Sequence, residues 1–252
     1  MALGEAALRG ANDTWVLRPP LRCLVPPVGV WAVSPDDTLF AWSEAPGETR
    51  VNVTEVATLR TVLELDGAPV VALQWTSPDA LRVFRRVGGE VAVHLHAVPD
   101  GGEVARCVLE GLGPWPLHVD ASEDGRVALV RVAPSVVLTR SGKSARAYVL
   151  RDDVVTRYSG DIGRASALSP DGTLIATGGA RLRVTTHAGD EVAVRADNAD
   201  IVAVTWIDRG RLFVVRSIAT GVEVATVSVE RDEAQPDAAR TRLRGTLAWG
   251  AP

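Results

Sequence analysis

One unit recurs five times along this chain, and it dictates the kind of fold available: a short apolar strand, a turn of Ser-Pro-Asp type, then a second apolar strand. The first copy has residues 28–33, Ser34-Pro35-Asp36-Asp37 and residues 39–42; the second has 70–75, Ser77-Pro78-Asp79-Ala80 and 81–87. The third has 117–120, Ser122-Glu123-Asp124-Gly125 and 127–132; the fourth has 165–168, Ser169-Pro170-Asp171-Gly172 and 174–176. The fifth has 201–206, Asp208-Arg209-Gly210 and 212–215. The last turn residues stand at 37, 80, 125, 172 and 210, so successive copies are 43, 45, 47 and 38 residues apart. That period is the length of one four-stranded propeller blade. The turn chemistry has its own logic: proline presets φ at the second position, Asp tolerates the third, and Gly accepts the positive φ that often follows.

Each turn is followed by two further strand-like segments. In the second copy these are residues 90–96 and 103–109, both alternating apolar and polar side chains as half-exposed strands do. No stretch keeps a helical period, so helix is expected to be scarce. The ends of the chain are complementary. Residues 246–249 resemble the start of a further inner strand, whereas residues 14–18 and 21–25 resemble the outer strands of a blade that lacks one; residues 5–10 offer a weaker strand. The expectation is an all-β, six-bladed β-propeller of four-stranded blades, closed by a composite blade from both termini, with five blades as the alternative. It forms a single domain over residues 1–252, with blades at about 28–69, 70–114, 115–160, 161–200 and 201–245, and a composite blade from 1–27 with 246–252.

Residues 165–179, ASALSPDGTLIATGG, resemble the opening half of a bacterial WD40-type or TolB-type (PD40-type) propeller repeat, with VSPDDTLFAW and TSPDALRVF as weaker matches. As a pattern the resemblance extends over residues 28–230. It implies a scaffold or recognition platform. The Gly-His and Trp-Asp dipeptides of full WD40 repeats are absent, and with them the Asp-His-Ser-Trp network of such repeats. Apolar packing between blades is therefore expected to carry the stability.

Composition narrows the partners. A formal charge of −4 and a hydrophobic fraction of 46% describe a globular chain with no general affinity for nucleic acid. No apolar run could span a bilayer and no signal-peptide core is visible, so a cytoplasmic location is expected. Lys143 is the only lysine among 27 basic residues, a bias expected of a GC-rich bacterial genome. Cys23 and Cys107 fall on outer strands of non-adjacent blades and are expected not to pair.

No catalytic motif is complete. Ser141-Gly142-Lys143-Ser144 lacks the upstream glycine of a phosphate loop, since Val137 stands there, and reads as a turn. Asp36, Asp79, Asp124, Asp171 and Asp208 recur with the repeat and read as turn formers. His94 and His96, two apart on one strand, share a face but show no third ligand near in sequence, so no metal and no cofactor is expected. Arg82, Arg85, Arg86 and Arg106 read as a solvated basic edge with Arg82 and Arg86 on one face. Residues 231–240 read as a mobile loop.

Three readings of function follow. The first is a non-catalytic scaffold or adaptor for protein partners. The second is a ligand-sensing propeller of an NTPase-linked or defence system, with a small molecule in the central channel. The third is a metal-dependent, lactonase-like hydrolase; it calls for acids and histidines on the loops entering the inner strands. Those loops are 67–69, 113–116, 160–163 and 197–200, and none carries histidine. The scaffold reading places its partner surface on Pro114, Trp115 and Pro116, a stiffened aromatic loop, beside the insertion 133–144, with Arg140, Lys143 and Arg146 as a polar rim.

Overall fold

The computed structural model describes residues 7–9, 14–16, 29–45, 47–114, 117–132, 146–152, 154–160, 162, 165–196, 200–218, 221–229 and 241–243. Among these residues every regular element is a strand, and no helix is long and apolar enough to cross a membrane. Strands β1 (Ala7–Arg9) and β2 (Thr14–Val16) pair with each other in antiparallel fashion. Five four-stranded sheets follow, each hydrogen-bonded in chain order. Blade 1 holds β3 (Trp31–Val33), β4 (Leu39–Trp42), β5 (Val51–Glu55) and β6 (Thr61–Leu65). Blade 2 holds β7 (Val70–Ser77), β8 (Ala80–Val87), β9 (Glu90–Ala97) and β10 (Glu103–Leu109). Blade 3 holds β11 (Leu117–Ala121), β12 (Val127–Val132), β13 (Ala147–Arg151) and β14 (Val154–Arg157). Blade 4 holds β15 (Ala165–Leu168), β16 (Leu174–Gly178), β17 (Arg181–Thr186) and β18 (Glu191–Ala196). Blade 5 holds β19 (Asp200–Asp208), β20 (Arg211–Ile218), β21 (Gly221–Ser228) and β22 (Thr241–Leu243). Residues 21–25 and 246–249, on which the composite blade rests, lie outside the described residues, as do the insertion 133–144 and the segment 231–240.

The chain divides into two compact units. One is Met1–Val119 with Asp124–Arg126 and Asp152–Val155; the other is Asp120–Glu123, Val127–Arg151 and Thr156–Pro252. The first unit has a core of Ala41, Val51, Val53, Val70, Leu81 and Val83 with their neighbours. The second has two clusters, one around Ile201, Leu212 and Val214 and one around Leu129, Ile162 and Ile175.

The recurrent turns are built from side chain to backbone. In blade 1 the Ser34 hydroxyl donates to Asp36 (2.6 Å) and accepts from the Leu39 amide (2.9 Å), while Thr38 donates to the other Asp36 oxygen at 2.9 Å. In blade 4 the Ser169 and Thr173 hydroxyls donate to one Asp171 oxygen at 2.7 and 2.8 Å, and the Leu174 amide donates to Ser169 at 2.9 Å. The fourth turn residue has positive φ in three blades: Asp37 (+58°), Gly125 (+70°) and Gly172 (+68°). At Gly125 a Cβ would lie 2.6 Å from the Thr76 carbonyl, so the turn of blade 3 can seat against blade 2 only without a side chain.

Polar bridges reinforce the apolar packing between blades of the first unit. Trp75 Nε1 on β7 donates to the Ala32 carbonyl on β3 at 3.1 Å. Arg85 donates to the carbonyls of Thr49 and Ala68, each at 2.7 Å, and of Leu65 at 3.1 Å, all in or flanking blade 1. Arg82 points from the opposite face of β8 to the Gly125 carbonyl (3.4 Å), the Asp152 carbonyl and Gln74 Oε1 (3.1 Å). Each arginine is only 3% exposed. The expected solvated edge is therefore overturned at these two positions: alternation places them correctly on opposite faces, but both faces are covered by neighbouring chain. Within the second unit Trp206 Nε1 donates to the Ala167 carbonyl at 3.1 Å, the counterpart of the Trp75 bond.

Blades 2 and 5 also share their irregularities. The β7–β8 ladder slips between Val70 and Ala72 and again between Trp75 and Ser77. The β19–β20 ladder slips between Ile201 and Ala203 and between Trp206 and Asp208. Arg85 and Arg216 take the same ladder position and are both buried.

Candidate functional site

Most of the polar groups singled out in the sequence are taken up by the fold. Asp36 is held below the ordinary aspartate range chiefly by the Ser34 hydroxyl. For Asp171, burial pushes upward, but the bonds from Ser169 and Thr173 outweigh it and the net direction is down. Asp208 is lowered mainly by its bond from Arg211. His187 accepts from Arg151 at 3.3 Å in the turn after β17, and burial lowers its pKa.

One cluster is different. On β9, His94 and His96 alternate with Val93 and Leu95, so the imidazoles share a face. The β9–β10 hairpin folds Glu103 back opposite His96, with a register shift between Glu103 and Ala105. Glu103 Oε2 lies 2.7 Å from His94 Nδ1, and His96 Nδ1 lies 3.1 Å from the Gly101 carbonyl. The two rings stack nearly parallel, 13° apart in plane with centroids 6.1 Å apart. One ligand atom from each of the three side chains falls within 4.8 Å of the others.

Packing fixes this arrangement. The residues of β8 paired with His94 and His96 are Val83 and Leu81, both fully buried in the cluster shared with blade 1. Gly101 has φ +76°, and a Cβ there would come within 2.8 Å of Leu63 on β6, so the hairpin closes onto blade 1 through a glycine. Burial is the main force lowering His96, and the Gly101 carbonyl partly opposes it. The bond from His94 is the main force lowering Glu103. Cys107 pairs with Val93 and so occupies the other face of the sheet, which removes its thiol from the cluster. The sequence offers the two histidines but not Glu103, because six residues of hairpin separate it from His96.

Of the expected partner surface, Pro114 is exposed after Gly113, and Arg146 is exposed just before β13. Trp115, Pro116, Arg140 and Lys143 lie outside the described residues. Large apolar side chains do stand in solvent on the fourth strands of blades 2 and 3: Val104 (65% exposed) and Val108 (42%) on β10, and Val154 (66%) on β14.

No protein-family model matches the sequence, and no curated protein matches it. Solved structures do resemble the fold. A chain of the "Mitotic Checkpoint Complex" superposes with a TM-score of 0.56 at 16% identity, covering 83% of this chain and 63% of that one. A chain of Kuenenia stuttgartiensis hydrazine synthase gives 0.55 at 13% identity, over 79% of this chain and 71% of that one. The C-terminal WD40 domain of Sif2 gives 0.54 at 12% identity, over 79% of this chain and 55% of that domain's chain. This chain thus spans less than two thirds of the first and third of these. With the five four-stranded sheets, the likeness shows an all-β fold of the WD40-like propeller kind.

Proposed function

We propose that this chain is a non-catalytic scaffold or adaptor that presents its surface to protein partners in a cytoplasmic, bacterial assembly. The observation that carries this reading is the division of labour among its side chains. The repeated acids are spent on turns and the buried arginines on backbone carbonyls, while valines on β10 and β14 remain in solvent. Exposed apolar groups on terminal strands of a sheet mark surfaces suited to a partner. The resemblance to a chain of the "Mitotic Checkpoint Complex" supports the same direction, since that chain works within an assembly. The partner surface in this reading comprises Pro114, Trp115 and Pro116 with a rim of Arg140, Lys143 and Arg146.

The test is a quantitative capture from the native host with wild type and Trp115→Ala side by side. Loss of the same captured proteins from Trp115→Ala, at unchanged thermal midpoint, supports the reading. An identical set on both, or a variant that binds but has lost its stability, refutes the surface.

A further inference from the structure

We propose that His94, His96 and Glu103 form a binding site for one divalent transition-metal ion of the zinc class. Three features of the molecule carry this. The donors are two imidazole nitrogens and one carboxylate, the borderline set that zinc prefers, and too rich in nitrogen for calcium or magnesium. They converge: one ligand atom of each lies within 4.8 Å of the others, with Glu103 44% exposed and free to adjust. Finally, the second sphere is in place. His96 points Nδ1 at the Gly101 carbonyl, which requires the proton on that nitrogen and leaves the Nε2 lone pair for a ligand.

The 2.7 Å contact between His94 and Glu103 is the metal-free pairing of two ligands. Donors around a tetrahedral ion at about 2.0–2.2 Å stand roughly 3.3 Å apart, so the ion enters by parting these two groups. Gly101 and the core beneath, Leu81 and Val83, hold the hairpin so that the histidines need not move. Three protein ligands leave a fourth position for water or for a donor from another molecule. The site lies on the third and fourth strands of blade 2 and depends on no residue of the partner surface proposed above.

The test is calorimetric titration of untagged, chelator-stripped full-length protein with zinc chloride, repeated with nickel chloride. One saturable equivalent is expected. Glu103→Gln should weaken binding about 10–100-fold and His94→Gln at least as much, while His187→Ala should leave it unchanged. Since His94 is largely covered, each variant's metal-free melting curve is recorded. Glu103, on the surface, supplies the decisive variant because its loss leaves the fold intact, and the zinc-induced rise in melting temperature should shrink with it. Absence of saturable binding, or binding undiminished in Glu103→Gln, overturns the site.

Discussion

The indole nitrogen of Trp75 donates to the backbone carbonyl of Ala32 across 3.1 Å, joining two blades rather than two strands of one sheet. Trp75 is 4% exposed, so the ring fills space between the blades while its one polar atom is satisfied. Trp75→Phe keeps most of the filling and loses the bond to the carbonyl, which should cost about 1 kcal/mol; Trp75→Ala should cost about 3–5 kcal/mol. Urea unfolding should show the midpoint falling in that order, with little change in slope.

Arg85 reaches three carbonyls of the blade 1 side from a buried position, whereas Arg126 pairs with Asp152 in solvent, with the two side chains 67% and 56% exposed. Arg85→Met should therefore cost about 2–3 kcal/mol, as the buried Leu65 carbonyl and the partly buried Thr49 and Ala68 carbonyls lose their donor. Arg126→Met should cost below about 1 kcal/mol and become indistinguishable from wild type at high salt. Equal effects from the two variants would contradict the bridging role of Arg85.

Two glycines with similar backbone angles separate conformational strain from steric strain. Gly47 (φ +80°) has open space where a Cβ would go, and Gly125 (φ +70°) has the Thr76 backbone there. Gly47→Ala should lose about 1–2 kcal/mol from the left-handed backbone alone. Gly125→Ala should lose distinctly more, because the turn at Gly125 must also shift away from the Thr76 backbone. Differential scanning calorimetry of the pair reads the difference directly.

The turn acids give a dependence on pH whose sign follows from their direction. Asp36 and Asp171 have folded pKa values below the ordinary 3.8, so the unfolded chain takes up protons first as pH falls. Their contribution is full above that value and is lost as pH drops through the folded values. Asp171→Asn should flatten the acid limb of the stability curve below about pH 4 and leave the slope near neutrality untouched. A slope change confined to pH 6–8 would rule this assignment out.

Much of this molecule was legible because its information is local. Ser34-Pro35-Asp36 and Ser169-Pro170-Asp171 announce their turns through bonds that span two to five residues. Strand alternation correctly put Arg82 and Arg85 on opposite faces. What alternation cannot give is the identity of whatever covers each face, so two buried bridges passed for a solvated edge. Glu103 was missed for a related reason: ligands that a hairpin brings together are neighbours across the ladder, and no spacing rule reveals them before the register is known. The bonds from Trp75 to Ala32 and from Trp206 to Ala167 become visible only when blades are compared position by position.

That comparison bears on which blades are interchangeable. Counted back from the turn, the two-before position reads Ala32, Trp75, Asp120, Ala167 and Trp206 along the five blades. The short Ser77 and Asp208 hairpins, with their identical slips in register, sit in the second and fifth blades, and the Ser34 and Ser169 turns sit in the first and fourth. The tryptophan seam thus recurs after three blades, while the turn with a positive-φ fourth residue is shared by the first, third and fourth. Recombinants that exchange blade 2 for blade 5 therefore preserve the tryptophan-to-alanine seam, whereas exchange of adjacent blades destroys it.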